Sequence, residues 1–330
     1  MCEALVILGP TASGKSALAL SLAAHYHIEI ISLDSALVYR GMDIGSAKPS
    51  KDELTLCPHH LIDICDPAQS YSAANFRRDC VRLVAQIRAR GHLPVICGGT
   101  MMYYKALVDG LSPVPESTPQ VRAQVQAIAD EHGWPYVHGL LQNIDPESFA
   151  RLDPNDKQRV ARALEVYYLT GKAMSSYFAA PKEGCPFTRA EVVLLPQDND
   201  RTKLRELIRQ RFMQMLEQGL VDEVKRLYAR HDLNDLMPAM RSVGYRQVLM
   251  YLKGEVSYEE MIELAVIATA RLAKHQMTWL RGGLKDDDKT QRLIVTIEHS
   301  ASEKLQQVLT LCRQHPSWQQ FAKMSSAAPA

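Results

Sequence analysis

An α/β fold, a parallel sheet core with an all-helical domain inserted into it, is what this sequence predicts, on three observations. Residues 8–18 read LGPTASGKSAL, which holds G-x-x-x-x-G-K-[ST] without a mismatch. Short continuous apolar runs alternate with stretches of helical period along most of the chain, the pattern of parallel strands covered on both faces by crossover helices. Between about Leu111 and Pro186 the alternation gives way to helical patterns alone, and it resumes near 190.

Taken in order, ALVIL (4–8) is a buried-strand run, the glycine-containing loop follows, and SALALSLAAHY (16–26) sets its leucines and alanines at helical spacing. Strand, loop and helix in that order make the core P-loop NTPase-like. IEIISL (28–33), HLIDI (60–64), LPVIC (93–97), AEVVLL (190–195) and RLIVTI (292–297) read as further strands, with a helix over 73–90 among the intervening stretches. Past SPVPESTP, Ser117 or Thr118 can cap a helix that begins at Pro119 and stops near Gly133; Asp145-Pro146 opens another; a third runs from about Asp156 to Gly171. Residues 200–283 are again helical, with breaks expected at Gly219, Gly244 and Gly254. The expected division is a core of residues 1–115 and 187–320, a helical insertion at 116–186, and a disordered tail over 321–330 that ends in SSAAPA.

Composition excludes disordered, fibrous and collagenous classes: 330 residues are 46% apolar and 23% charged. Seven cysteines (Cys2, Cys57, Cys65, Cys80, Cys97, Cys185, Cys312) are irregularly spaced, with no C-x-x-C pair and no zinc spacing, and read as reduced thiols of a cytoplasmic protein. No basic leader precedes Ala4 and no apolar run approaches the ~18 residues that span a bilayer, so no membrane partner is expected. A net charge of +1 does not announce a nucleic-acid partner, but residues 201–230 hold eight Lys/Arg against four Asp/Glu, with compensating acids in KDDDK and between Glu255 and Glu263.

In the loop, Gly9 and Gly14 let the backbone curl so that successive N–H groups point at an anion, and Lys15 adds a full charge. Ser16 supplies a hydroxyl suited to Mg²⁺; Thr11 and Ser13 offer further donors, and Pro10 and Ala12 complete the diphosphate-binding run 9–16. Such loops commonly serve ATP or GTP, which makes a kinase of a small metabolite the first alternative. Against it, a metal-holding strand should end in Asp, yet LPVICGGT ends in glycines; the strand that ends in Asp is IEIISLD. Asp34 could hold Mg²⁺ through water, face a nucleophile, or simply cap the next loop.

GPTASGKS, ISLDSALVYRGMDIGSAKPS, CGGTMMYYKALVDGL, DPNDKQRVARALEVYYLTGK, RSVGYRQ and ARLAKHQMTWLR, in this order from about Leu5 to Arg281, resemble the tRNA dimethylallyltransferase (tRNA isopentenyltransferase) family. No zinc-finger extension follows, so the bacterial form is the closer resemblance. The resemblance implies transfer of a dimethylallyl group from dimethylallyl diphosphate to the exocyclic N6 amine of the adenosine 3′-adjacent to the anticodon, with release of diphosphate. It implies Mg²⁺ at Ser16, a tRNA anticodon stem-loop as partner, and catalytic roles for Asp34, Thr100 and Lys15. Arg211 matches a basic residue at the diphosphate, with Arg209 two positions away. Nothing demands more than a monomer.

The chemistry of the residues agrees. An allylic diphosphate ionises when its leaving group is stabilised, which backbone donors, Lys15 and a cation near Ser16 would do. An adenine amine is a weak nucleophile, and a carboxylate such as Asp34 can orient it and take its proton as the C–N bond forms. The target base must be splayed into a pocket. The resemblance assigns tRNA contacts to Asp34, Ser35, Ala36, Leu37, Thr100 and Arg122; to Lys157, Gln158, Arg159, Val160, Ala161 and Arg162; and to Arg241, Ser242, Val243, Gly244, Tyr245 and Arg246. Tyr245 could stack a base, although a lone tyrosine is more often core. Arg271, Lys274, Thr278 and Arg281 form a polar stripe opposite Leu272, Gln276 and Leu280, and His275 stands where the family pattern has arginine. Besides the kinase, a nucleotide-dependent RNA-binding switch is the third alternative.

Overall fold

The structure, a computed structural model, describes residues 2–197, 201–284 and 290–323; the KDDDK run and the SSAAPA end therefore lie outside the described residues. The chain divides into two compact units, residues 1–107 with 186–330, and residues 108–185.

The first unit contains strands β1 (Ala4–Leu8), β2 (Ile28–Leu33), β3 (His59–His60), β4 (Leu93–Gly98), β5 (Arg189–Leu195) and β6 (Thr290–Thr296) in one sheet of order β3-β2-β4-β1-β5-β6. Every pairing is parallel. β1, β2, β4 and β5 are buried at every position, which is why apolar residues dominate each with no regular alternation. The polar residues inside β5 neutralise each other: Arg189 donates to Glu191 at 2.9 Å, as does Arg292 from β6 at 2.8 Å. Because β2, β4 and β1 are neighbours pointing one way, the turns that follow them converge at one edge of the sheet, the edge where α/β proteins bind ligands.

Helices α1 (Lys15–Ser21), α2 (Lys51–Leu56), α3 (Ala73–Ala89) and α4 (Met101–Asp109) connect the first strands. α3 starts at a Ser72/Asn75 capping box and turns Phe76, Cys80, Leu83, Val84 and Ile87 inward, one face of a 3.6-residue period. The apolar run HLIDI does not make the strand expected of it. Only His59 and His60 pair with β2, because Leu61 and Asp63 take left-handed φ angles of 63° and 56° and turn the chain out of the sheet. The disordered tail expected from 321 also fails at its start. Phe321 is buried and Ala322 bridges to Tyr26, while 324–330 lie outside the described residues.

The second unit is helical: α5 (Pro119–His132), α6 (Trp134–Ile144), α7 (Pro146–Arg151) and α8 (Lys157–Thr170). Thr118, not Ser117, caps α5 by accepting the Val121 N–H; Asp145 caps α7 and Asp156 caps α8. Its core joins Val125, Ala129, Val137, Leu141, Val160 and Leu164. The unit begins at Val108, ahead of the expected 116, since Val114 packs on this core and the Pro115 carbonyl accepts from Arg162.

The rest of the first unit holds α9 (Thr202–Glu217), α10 (Leu220–Tyr228), α11 (Tyr245–Leu252), α12 (Tyr258–Gly282) and α13 (Ala301–Arg313). Gly219 and Gly244 stand at the starts of α10 and α11, and Gly254 follows α11. The seven cysteines form no disulfide among the described residues, and six are buried. No helix among the described residues is long and apolar enough to cross a membrane.

Candidate active site

The first turn at the converging edge is Gly9–Gly14. It closes with the Ser13 N–H donating to the Pro10 carbonyl. Ala12 sits at φ 61° and Gly14 at φ 82°; a left-handed alanine is backbone strain of the kind found at ligand sites. Lys15 folds over the loop and donates to the Pro10 carbonyl at 3.1 Å. Burial pushes its pKa below the ordinary 10.5, Cys97 and Asp34 oppose this, and the neighbouring Arg211 adds to it. An anion in the loop would reverse that depression. The Ser13 and Ser32 hydroxyls are buried and have no hydrogen-bond partner among the described residues.

The second turn carries Asp34. Its Oδ1 accepts the N–H groups of Ala36 at 2.8 Å and Leu37 at 3.3 Å, so it does cap its own loop. Nothing among the described residues donates to Oδ2. One carboxylate thus has one oxygen for structure and a second available for chemistry.

In the third turn, Gly99 and Thr100 both donate their N–H to the Leu33 carbonyl, and Thr100 Oγ1 accepts the Ser35 N–H at 3.0 Å. A Cβ on Gly98 would strike the Leu33 backbone, and one on Gly99 would lie 2.6 Å from Gln276 Nε2 and 2.9 Å from the Gly9 carbonyl. These two glycines therefore allow β4 to sit against both neighbouring turns.

Two cavities open on these turns. The larger, about 800 Å³, is lined by Thr11, Ala12, Asp34, Ser35, Ala36, Thr100 and Arg211, with Tyr71, Met101, Met102, Tyr103, Phe212 and Trp279 as an apolar wall. The smaller, about 300 Å³, is lined by Gly14, Lys15, Ser16, Ser32, Leu37 and again Ala12 and Arg211. Ala12 and Arg211 are walls of both. The Arg211 guanidinium makes no hydrogen bond or ion pair among the described residues; burial lowers its pKa and Asp34 raises it. Arg209, by contrast, points elsewhere and pairs with Glu263 at 2.6 Å.

Among the residues matched to RNA contacts, Asp34, Ser35, Ala36, Thr100, Arg241, Ser242, Val243 and Gly244 line the larger cavity, as does His275. Leu37 faces the smaller one, and Arg246 is exposed outside both. Tyr245 does not offer its ring to a base. It is fully buried and its hydroxyl donates to Glu223 Oε1 at 2.6 Å. The same Glu223 carboxylate accepts the N–H groups of Asp43, Ile44 and Gly45 at 2.9, 2.9 and 3.2 Å, so tyrosine and carboxylate lock the loop whose Gly45 and Ser46 line the larger cavity. In the second unit Arg122, Lys157, Gln158 and Arg159 are exposed on α5 and α8. Val160 is not available, being fully buried in that unit's core with Ala161 packed against it. Arg159 is held by Asp156, and Arg162 by the Pro115 carbonyl and Glu165.

Sequence reasoning missed Glu223 and Gln276. Gln276 Oε1 accepts the Thr11 N–H at 2.9 Å and its Nε2 donates to the Gly99 carbonyl at 2.8 Å. The signal was a polar residue on the apolar face of α12, between Ala273 and Leu280, whereas Leu272 is exposed.

For a metal, the donors are few: no group of three His, Cys, Asp or Glu that could hold an ion occurs among the described residues. Ser16 is exposed at the loop's end, in the same cavity as Lys15 and the unpartnered Ser32 hydroxyl. One hydroxyl with the remaining ligands from phosphate and water is the donor set Mg²⁺ accepts, so the residues fit.

A glycine turn and a carboxylate on one apolar-walled cavity define the class: an α/β protein whose candidate ligand site lies at the carboxyl edge of its parallel sheet. The family model described as IPP transferase matches residues 37–283, and the chain belongs to that family. The tRNA isopentenylpyrophosphate transferase of Bacillus halodurans is similar at 33% identity over 94% of this chain and 96% of that one, with a TM-score of 0.64. The tRNA delta(2)-isopentenylpyrophosphate transferase of Staphylococcus epidermidis is 30% identical over 95% and 99%, TM-score 0.65. A eukaryotic dimethylallyltransferase solved acting on tRNA is 25% identical over 98% and 82%, TM-score 0.78. The family match begins after Asp34, whereas the structural similarities extend over nearly the whole chain.

Proposed function

We infer that the protein transfers a dimethylallyl group from dimethylallyl diphosphate to N6 of the adenosine next to the 3′ side of a tRNA anticodon, releasing diphosphate. The observation that carries this reading is the pair Ala12 and Arg211, which form walls of both the phosphate-loop cavity and the Asp34 cavity. Donor and acceptor can then meet at their junction. The loop N–H groups, Lys15 and Arg211 hold the diphosphate and stabilise the charge it gains as the C–O bond to the allylic carbon breaks and its electron pair leaves with the phosphate. The apolar wall of Met101, Met102, Phe212 and Trp279 suits the hydrocarbon chain and excludes water that would capture the cation. Asp34 Oδ2 orients the amine and takes its proton as the N–C bond forms, and Thr100 sets the turn that presents Asp34 by holding the Ser35 N–H. Ser16 is the residue that would hold Mg²⁺, which when bound adds positive charge at the leaving diphosphate. Exposed basic residues on α5 and α8 supply phosphate contacts for the anticodon stem-loop.

Radiolabelled dimethylallyl diphosphate incubated with unmodified tRNA and Mg²⁺, followed by nucleoside analysis, tests the reading. Label on an adenosine beside the anticodon is expected; ATP consumption without RNA labelling would establish a kinase instead.

A further inference from the structure

We propose that Gln276 is a positioning residue for this transfer: its one side-chain amide ties the phosphate loop to the Gly99–Thr100 turn and so keeps donor and acceptor in register. Gln276 is 8% exposed. It accepts the Thr11 N–H and donates to the Gly99 carbonyl, bonds that reach residues 265 and 177 positions away. Beyond Gly99, Thr100 Oγ1 takes the Ser35 N–H, and Ser35 follows Asp34. A continuous path of hydrogen bonds and single peptide steps therefore runs from the diphosphate turn through Gln276 to the catalytic carboxylate. Gly99 has no space for a side chain because Gln276 Nε2 fills it, so glycine and glutamine fit as a unit.

An uncharged amide suits this position because one end must accept and the other donate. Ionised glutamate would set an acceptor against the Gly99 carbonyl; leucine would fill the volume and satisfy neither partner. Protonated glutamate, however, donates through its O–H and accepts through its C=O, which restores the pattern. In a buried site the acid form persists to higher pH than in water.

The proposal rests on the transfer reading, and the experiment separates the two. Labelled dimethylallyl transfer to tRNA is measured for wild type, Gln276→Leu and Gln276→Glu from pH 6 to 8.5, together with inorganic diphosphate affinity by calorimetry, anticodon stem-loop affinity by fluorescence anisotropy, and thermal midpoints. Misplacement of reacting groups by less than an ångström predicts a fall in kcat of about 10- to 100-fold for Gln276→Leu at every pH. Gln276→Glu should match that loss at pH 8.5 and regain most of it toward pH 6, with RNA affinity within about twofold of wild type for both variants. Wild-type kcat in the leucine variant, or a glutamate variant whose activity relative to wild type is flat with pH, overturns the proposal. A loss seen in RNA affinity alone also overturns it. If wild type itself transfers no label, the reaction reading fails, and the diphosphate affinity of Gln276→Leu still decides the link: weakening supports it and no change overturns it.

Discussion

At Asp34 the two oxygens of one carboxylate stand in different surroundings. Oδ1 holds the Ala36 and Leu37 N–H groups and Oδ2 is unengaged among the described residues. Asparagine keeps the first function and cannot accept a proton at the second. Asp34→Asn is therefore expected to lower turnover by about 10²- to 10⁴-fold with anticodon stem-loop affinity unchanged within threefold; equal losses in rate and affinity would reassign Asp34 to binding. Lys15 is expected to set a pH limit on diphosphate binding. Its free-state pKa is depressed below 10.5, first by burial, and diphosphate favours the protonated form. Affinity is thus full below the free-state pKa and falls as pH rises through it. Calorimetry with inorganic diphosphate should show this alkaline loss at lower pH than an ordinary lysine would give, and Lys15→Arg, with a guanidinium that stays charged, should abolish it. An alkaline limb unmoved by Lys15→Arg would remove Lys15 from the phosphate contact.

The element that the structure most redefines is the turn ahead of α11. RSVGYR offers two arginines and a tyrosine in a row, and nothing in that string separates residues facing a cavity from the one buried behind it. The separation comes from α10, whose Glu223 takes three backbone N–H groups of the 43–45 loop and the Tyr245 hydroxyl. Tyr245→Phe removes one of these four donors and leaves the carboxylate held by three. The expected outcome is a loss of about 1 kcal/mol in unfolding free energy, measured by urea denaturation, with RNA affinity unchanged. A stacking role would instead leave stability alone and preserve RNA affinity only because phenylalanine also stacks, so Tyr245→Leu distinguishes the two: it should destabilise strongly. A Tyr245→Leu protein of wild-type stability and weak RNA binding would restore the stacking role.

Across the whole sheet, the ends of the strands have different duties. The carboxyl edge bears the three turns of the site; the amino edge bears an ion cluster around the buried Glu29. Glu29 at the start of β2 accepts from Arg90 at 2.6 and 2.8 Å, and lies 2.6 Å from His60 and 2.8 Å from His92. Burial alone would raise its pKa, but hydrogen bonds from Arg90, His60 and His92 prevail and hold it at about 2 against an ordinary 4.5. A depressed carboxylate pKa contributes stability that is complete above 4.5 and lost as pH falls toward 2. Allowing for solvent screening at the half-exposed Arg90 and His92, the contribution is of order 1 to 2 kcal/mol. Glu29→Gln should remove that portion of the acid destabilisation, read as a shallower fall of the thermal midpoint between pH 4.5 and 2.5, without altering transfer near neutrality. An identical acid profile in the variant would show that the cluster contributes nothing.

What the sequence determined by itself is whatever depends on neighbours in the chain. The glycine loop, the Asp145 and Asp156 helix starts, a cap of α5 at Ser117 or Thr118, the glycine breaks and the mostly apolar strands are legible because a turn or cap is written in a few consecutive residues and burial on both faces leaves no regular alternation. Tertiary structure decided the rest. It set the strand order that brings Gly9, Asp34 and Thr100 to one edge, cut HLIDI to two paired residues, buried Val160 and Tyr245, and placed Gln276 and Glu223 on backbone groups 177 to 265 positions away. A hydrogen bond between residues 265 positions apart leaves no period or motif in either segment; its only trace is a polar side chain where the helix face calls for an apolar one.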